Sequence, residues 1–170
     1  MAMATRSVPM GWHPVPYVNA PDTLAELNIA MRTCVSMPVP EMDADNVFND
    51  AEHMQAFRAW HDSIHYRTQA PFNIAGEAMC AYAHAWALVR QYGDESDTRT
   101  WVAMILCMVL GANEFKVRTG EYPTSMRRYV KDYYYTWMQL AAKLCMTFEG
   151  DEKLSELGAM RMAQGSWGKA

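Results

Sequence analysis

Two histidines one helical turn apart are the residues best suited to chemistry in this chain of 170 residues. His61 and His65 are four positions apart, so a helix would place both imidazoles on one face. Each neutral imidazole offers a nitrogen lone pair, and such a pair is a common start for a metal site. Glu77 and His84 follow, seven positions apart and therefore on one face of the next predicted helix. Together these four side chains predict a site for a divalent metal such as zinc, iron or manganese.

The helices that carry these residues are predicted to pair with each other. One spans about residues 50–67 and the next about residues 72–92, with Pro71 between them. Because the break is short, we expect an antiparallel helical hairpin. Antiparallel packing would place His65 nearer to Glu77 than to His84.

The same hairpin would bring His61 nearer to His84, but two interpretations of His61 stay open. His61 lies on the apolar stripe of its helix, in line with Phe57 and Ile64. A histidine in that position can be a metal ligand, or it can be a hydrogen-bonded polar group of the core. The sequence supports both interpretations.

Two acidic residues are candidates for proton transfer at such a site. Asp62 follows His61 directly and points about 100° away from it on a helix, so it is better placed to orient a histidine or act as a base than to share the ion. Glu114 ends an apolar helical pattern, where a carboxylate needs a metal, a histidine or a cation such as Arg118 as partner. With a metal-bound water, these residues would support hydrolysis of a phosphoester.

A basic, tyrosine-rich segment offers contacts for a substrate phosphate. Arg127, Arg128 and Lys131 are interleaved with tyrosines, a pattern that can bind nucleotides by charge and stacking. The alternative is an ordinary solvated helix face. A nucleotide ligand is therefore one expectation, whereas general nucleic-acid binding is not, because the formal net charge is −4.

The composition is that of a globular chain rather than a disordered or membrane-spanning one. Hydrophobic residues make up 51% and charged residues 20% of the sequence. The longest apolar run, residues 101–112, is shorter than the roughly 18 residues that a membrane span needs. The four cysteines are widely spaced and form no CxxC motif, and the N-terminus lacks the pattern of a secretion signal. We therefore expect a cytoplasmic protein with reduced thiols and no membrane partner.

The predicted fold class is all-α, a single-domain bundle of five to six helices behind a proline-rich extended N-terminal arm. Four prolines within residues 1–21 remove backbone donors and favour the extended arm. The helical domain is predicted over residues 22–163, and residues 164–170 form a flexible tail. Thr23 followed by Glu26 matches a capping box at the start of the first helix. The aromatic residues of the arm predict that it packs on the body or on a second copy, which would give a homo-oligomer.

Further helices are predicted near residues 97–118, 124–146 and 152–162. Residues 37–49 combine prolines with acidic side chains and are predicted to form a loop. No segment is predicted to form a strand.

The dipeptide His61-Asp62 resembles the metal-binding dyad of the HD-domain phosphohydrolases, which are all-α metal-dependent enzymes. In that family an upstream histidine and a distant downstream aspartate complete the metal site. In this chain Glu114 stands on the downstream helix where an aspartate would be expected. The resemblance covers the dipeptide and the helical class, and it implies a metal-dependent phosphohydrolase.

A second, longer pattern resembles small helical proteins encoded in phage genomes. The pattern comprises F-x-x-W-H-D-x-x-H at residues 57–65, F-N-x-x-G-E at residues 72–77 and T-G-x-Y-P at residues 119–123. This resemblance implies a phage origin and a place in the host cytoplasm or in the particle, without implying an activity. The alternative function is therefore a non-catalytic interaction or assembly protein whose histidines are structural.

Overall fold

The computed structural model describes residues 2–41 and 46–150, and helices dominate them, which confirms the predicted all-α class. The chain divides into two compact units, Met1–Asn73 and Ile74–Ala170. The domain boundaries expected from the sequence, after residues 21 and 163, are a different division and stay a prediction. The helix expected at residues 152–162 and the expected tail lie outside the described residues.

The first unit is organised around one long helix. Its elements are α1 (Ala2–Ser7), β1 (Trp12–Val15), a 3-10 turn (Tyr17–Asn19), α2 (Leu24–Thr33), β2 (Met37–Pro40) and α3 (Ala51–Thr68). Helix α3 packs against α1, α2 and β2, and it therefore forms the centre of this unit.

Residues 1–21 are more regular than the extended arm that their prolines predict. The first proline is Pro9, so nothing prevents the preceding residues from forming α1. The side chains of Ala4 and Val8 are buried, which fixes this end of the chain on the first unit. Trp12–Val15 is extended as β1, in agreement with the prediction, and the 3-10 turn at Tyr17–Asn19 follows it.

The strands β1 and β2 form a parallel pair that the sequence analysis did not predict. The prolines of β2 made the segment resemble a loop, and the loop prediction is wrong for Met37–Pro40. The backbone N–H of Met37 donates to the carbonyl of Gly11 at 2.9 Å. Pro38 and Pro40 occupy the alternate positions, where a strand at the edge of a sheet needs no donor.

A small apolar core joins this strand pair to α3. Val8, Met37, Val39 and Ala59 are buried together, with Met10, Trp12 and Met31 packed against them. Burying a valine or methionine side chain contributes roughly 1.5–3 kcal/mol, so this cluster is a main source of stability in the first unit. Several of the chain's 15 methionines therefore act as core filler.

Helices α2 and α3 each begin at a side-chain cap, and the one at Thr23 was predicted from the sequence. The Thr23 side chain accepts a hydrogen bond from the backbone N–H of Glu26, as in the predicted capping box. At α3 the Asp50 carboxylate accepts a hydrogen bond of 2.8 Å from the backbone N–H of His53. This hydrogen bond lowers the pKa of Asp50, since it favours the ionised carboxylate.

The second unit is a group of helices around α4 and α7. Its elements are α4 (Ile74–Tyr92), α5 (Ser96–Leu106), a π turn (Cys107–Gly111), α6 (Ala112–Thr119) and α7 (Met126–Gly150). Helix α5 packs against both α4 and α7. The single helix predicted near residues 97–118 corresponds to α5, the π turn and α6 in succession.

The continuous helical stretch Ser96–Thr119 is long and apolar enough to cross a membrane by length and composition. Half of its most apolar window is buried inside the chain, and a core helix of a soluble protein has the same character. This single stretch is weak evidence for a membrane span.

Candidate metal site

The buried face of α3 brings the two predicted histidines into direct contact. The Nε2 atoms of His61 and His65 are 3.0 Å apart, and their rings meet edge to face with centroids 4.7 Å apart. The four-residue spacing on a helix accounts for this contact. The exposed fractions are 4% for His61 and 0% for His65, so the pair lies in the protein interior.

The second ring nitrogen of His65 determines its tautomer. Nδ1 lies 2.9 Å from the carbonyl oxygen of Ala70. A carbonyl oxygen can only accept, so Nδ1 carries the proton and neutral His65 keeps its lone pair on Nε2. Histidines that bind metals are usually held in this way, with the distal N–H donated to a backbone carbonyl or carboxylate.

The turn after α3 places the Ala70 carbonyl beneath His65. Gln69 adopts the left-handed conformation with φ 54°, and the N–H of Ala70 donates to the His65 carbonyl at 3.2 Å. The Gln69 side chain exchanges two hydrogen bonds with Asn28 of α2, at 3.2 and 3.1 Å. The roles of Gln69, Ala70 and Asn28 were not predicted from the sequence, although Pro71 indicated that the helix ends just before it.

Two phenylalanines enclose the imidazoles. The Phe57 ring stacks on His61 with centroids 6.0 Å apart, and the Phe72 ring meets His65 edge to face at 4.4 Å. Apolar walls lower the local dielectric, which strengthens any bond that a cation makes to the two nitrogens.

Glu77, in the first turn of α4, completes a group that can hold a metal ion. One ligand atom from each of His61, His65 and Glu77 lies within 4.8 Å of the other two. Donor atoms around one tetrahedral zinc ion are about 3.3 Å apart, because each lies about 2.0–2.1 Å from the ion. The observed separations therefore suit a metal after small side-chain movements.

His84 is not a member of this group. It lies in α4, where its side chain is fully buried. The expected pairing of His61 with His84 and the expected hairpin of α3 with α4 stay predictions.

Asp62 is buried beside Arg58 rather than exposed to solvent. Its Oδ1 lies 3.9 Å from Nη2 of Arg58, one turn earlier on α3, and makes no hydrogen bond within the described residues. A buried carboxylate requires a nearby cation, and Arg58 meets that requirement. The role of Asp62 as a general base stays a prediction.

Glu114 lies on the exposed surface of α6 in the second unit. No ion pair joins it to Arg118 in the described part of the chain, contrary to the alternative that the sequence suggested. Both residues instead line a pocket between α6 and α7. The catalytic role predicted for Glu114 stays a prediction.

The predicted phosphate contacts lie near the start of α7. Arg127, Arg128 and Lys131 are all exposed, and Arg128 forms an ion pair of 3.6 Å with Asp132. Exposure and a one-turn ion pair are typical of a solvated helix face, which was the alternative interpretation.

The class of protein that the fold and the site define is a helical protein with a histidine–glutamate cluster able to hold a metal. No protein-family model, no curated protein and no solved structure matches the chain. Function therefore has to be inferred from the chain's own residues.

Proposed function

We propose that this chain is a metal-binding protein in which His61, His65 and Glu77 hold one divalent ion. The observation that carries the proposal is the hydrogen bond from His65 Nδ1 to the Ala70 carbonyl. It leaves the lone pair of neutral His65 on Nε2, the nitrogen that lies 3.0 Å from Nε2 of His61. One ligand atom of Glu77 lies within 4.8 Å of a ligand atom of each histidine. Two histidines and one carboxylate suit zinc, iron(II) or manganese.

The number of ligands favours a catalytic ion over a structural one. A structural zinc ion is almost always held by four protein ligands, whereas a catalytic one keeps a position for water. Three protein ligands would leave such a position, and a bound cation lowers the pKa of its water enough to produce hydroxide near neutral pH. Hydrolysis of a phosphoester or nucleotide is the reaction that the HD resemblance implies.

The remaining predicted residues enter this proposal as candidates. Asp62 is the candidate base, since it adjoins His61 on α3, and the basic residues of α7 are candidate phosphate contacts. The ligand set is the observation that supports hydrolysis.

A second function is favoured by the contact between the imidazoles themselves. When His61 Nε2 carries a proton, it donates to the lone pair of His65 Nε2 over 3.0 Å, and the buried pair is satisfied without a metal. The protein would then be a non-catalytic interaction or assembly protein of phage type in the host cytoplasm, forming oligomers through its N-terminal residues.

Metal analysis of tag-free protein distinguishes the two functions. After incubation with Zn²⁺, Mn²⁺ or Fe²⁺ and gel filtration, we expect about one equivalent of one metal in the native protein and a large loss in His61→Gln and Glu77→Gln. His53→Gln is the matched control, because His53 lies on the same helix with 55% of its side chain exposed. Folded native protein without metal would contradict the metal proposal and favour structural histidines.

Hydrolysis needs a test of its own. Metal-loaded native protein should cleave bis(p-nitrophenyl) phosphate faster than the same protein after treatment with a chelator. Glu77→Gln should lower the rate, and His53→Gln should leave it unchanged. A protein that binds one equivalent of metal and shows no metal-dependent cleavage would restrict the proposal to metal binding.

A further inference from the structure

A pocket of about 340 Å³ opens between α6 and α7 in the second unit. The charged residues Glu114 and Arg118 line it from α6. Four aromatic residues also line it and are called the aromatic wall: Phe115 of α6 and Tyr129, Tyr133 and Trp137 of α7. The metal proposal assigns this pocket no role.

We propose that this pocket binds a small zwitterion that carries an ammonium and a carboxylate beside an apolar group, as an aromatic α-amino acid does. Glu114 would accept hydrogen bonds from the ammonium group, and Arg118 would donate to the carboxylate. The aromatic wall would contact the apolar group of the ligand.

The two charges are placed to act on a ligand rather than on each other. Glu114 and Arg118 are four residues apart on α6, so their Cβ atoms lie about 5–6 Å apart. They form no ion pair among the described residues, and the Arg118 guanidinium lies over the Phe115 ring, 5.8 Å from its centroid. A group with both charges can therefore bridge them, whereas a simple cation or anion leaves one of them without a counter-charge.

The aromatic wall follows from the spacing of α7. Tyr129, Tyr133 and Trp137 recur every four residues and therefore share one face of the helix. The Tyr129 ring meets the Phe115 ring edge to face, with centroids 5.6 Å apart. The Tyr133 ring is tilted against it, with centroids 4.9 Å apart, so the two helices present one continuous aromatic surface. Such faces attract an ammonium group as well as an apolar side chain.

The π turn holds two residues of the aromatic wall, Tyr129 and Trp137, in place. The Tyr129 hydroxyl donates to the Gly111 carbonyl at 2.8 Å, which holds α7 against the end of the π turn. A Cβ at Gly111 would lie 3.1 Å from Trp137 Nε1 and 3.1 Å from the Tyr129 hydroxyl, so the glycine permits this approach. Single π turns inside helices occur frequently at functional sites.

Tyr129 lies close to both charges of the pocket. Burial raises the pKa of Tyr129, Cys107 and the Glu114 carboxylate raise it further, and Arg118 lowers it. The phenol therefore stays protonated at neutral pH and keeps its hydrogen bond to Gly111.

Calorimetric titration with three matched compounds tests the proposal on the intact chain. L-Phenylalanine has both charges, 3-phenylpropionate lacks the ammonium group and phenethylamine lacks the carboxylate. We expect L-phenylalanine to bind with a Kd of about 1 mM, because the pocket is open and the ligand small. Each analogue should bind about tenfold more weakly, which is the effect of losing one charged hydrogen bond.

Substitutions should remove these preferences one at a time. Glu114→Gln should abolish the preference for L-phenylalanine over 3-phenylpropionate. Arg118→Gln should abolish the preference for L-phenylalanine over phenethylamine. Glu121→Gln and Lys116→Gln are controls, since both residues are exposed on or next to α6 and do not line the pocket. Circular dichroism confirms that each variant is folded.

Two results would overturn the proposal. One is that no compound shows saturable binding up to about ten times the expected Kd. The other is that either analogue binds the native protein as tightly as L-phenylalanine. Neither result depends on a metal, so failure here is distinct from failure of the metal proposal.

Discussion

His61 with His65 and Glu114 with Arg118 are two pairs with the same four-residue spacing on a helix, in opposite environments. The histidines of α3 are buried, and their nitrogens are 3.0 Å apart. The charged pair of α6 is exposed, and its members form no ion pair in the described part of the chain. Helical spacing places side chains on one face, and burial determines how much their contact contributes to stability, since an exposed pair gains little over hydration by water.

The largest effect should come from removing one member of the buried pair. His65→Ala leaves the Ala70 carbonyl and the His61 nitrogen without this partner and opens a cavity, so we expect a loss of about 3 kcal/mol in the free energy of unfolding. Glu114→Ala at the exposed pair should change it by less than about 0.5 kcal/mol. Urea denaturation of both variants measures the contrast, and equal losses would refute it.

Gly111→Ala should be the next most severe change, because Gly111 lies against two aromatic residues of the open pocket, Tyr129 and Trp137. The added methyl group would crowd Trp137 Nε1 and the Tyr129 hydroxyl at 3.1 Å each, which should cost about 1–3 kcal/mol. Thermal unfolding of Gly120→Ala provides the comparison. Nothing lies within 4 Å of a Cβ at Gly120, so its cost comes from φ 89° alone, about 1 kcal/mol. A smaller loss at Gly111 than at Gly120 would contradict the close approach of α7.

A third pair, Asp94 with Arg99, is charged and makes contact, and it should make stability depend on pH. Arg99 donates from Nε and Nη2 to the Asp94 carboxylate at 2.6 and 2.5 Å, which lowers the pKa of Asp94. The pKa of Asp94 in the folded protein is below the unfolded value of about 3.9. The ion pair therefore stabilises the folded state fully above that pH, and this stabilisation is lost as the pH falls through the folded pKa. In Asp94→Asn, the free energy of unfolding in urea should fall less steeply between pH 6 and about pH 2 than in the native protein. An unchanged pH dependence would exclude the ion pair as its source.

The smallest expected effect concerns thiol reactivity, which should follow burial without altering stability. Cys34 is exposed, whereas Cys80, Cys107 and Cys145 are buried, and no disulfide joins these four described residues. Burial raises the pKa of Cys107 to about 12, so almost no thiolate is present at pH 8. Titration with a thiol reagent should modify one cysteine rapidly in the native protein and none in Cys34→Ser. Rapid modification of a second thiol would show that the buried cysteines are accessible.

Local patterns predicted most of the long helices and the cap at Thr23. Thr23 and Asp50 cap α2 and α3 because their side chains accept hydrogen bonds from backbone N–H groups three residues ahead. The strand β2 could not be predicted in this way. Its two prolines favour a loop when the segment is considered alone. Only the pairing with β1, 25 residues earlier in the chain, shows which positions of β2 need a backbone N–H donor.

The metal group was predicted in part. His61, His65 and Glu77 follow from spacing and residue type, and they are the three that come together. The Ala70 carbonyl that orients His65 depends on a left-handed conformation at Gln69, which is uncommon for a residue other than glycine. The zwitterion pocket was missed, although the four-residue repeat of aromatic residues on α7 and Gly111 were signals for it.

The sequence by itself determined which side chains share a helix face, because the period of the helix depends on local hydrogen bonds alone. It determined in this way that His61 lies beside His65 and that Glu114 lies beside Arg118. Only the tertiary structure decided which pair would be buried and in contact. Burial depends on packing between residues distant in sequence, such as Val8 with Ala59 and Trp137 against Gly111.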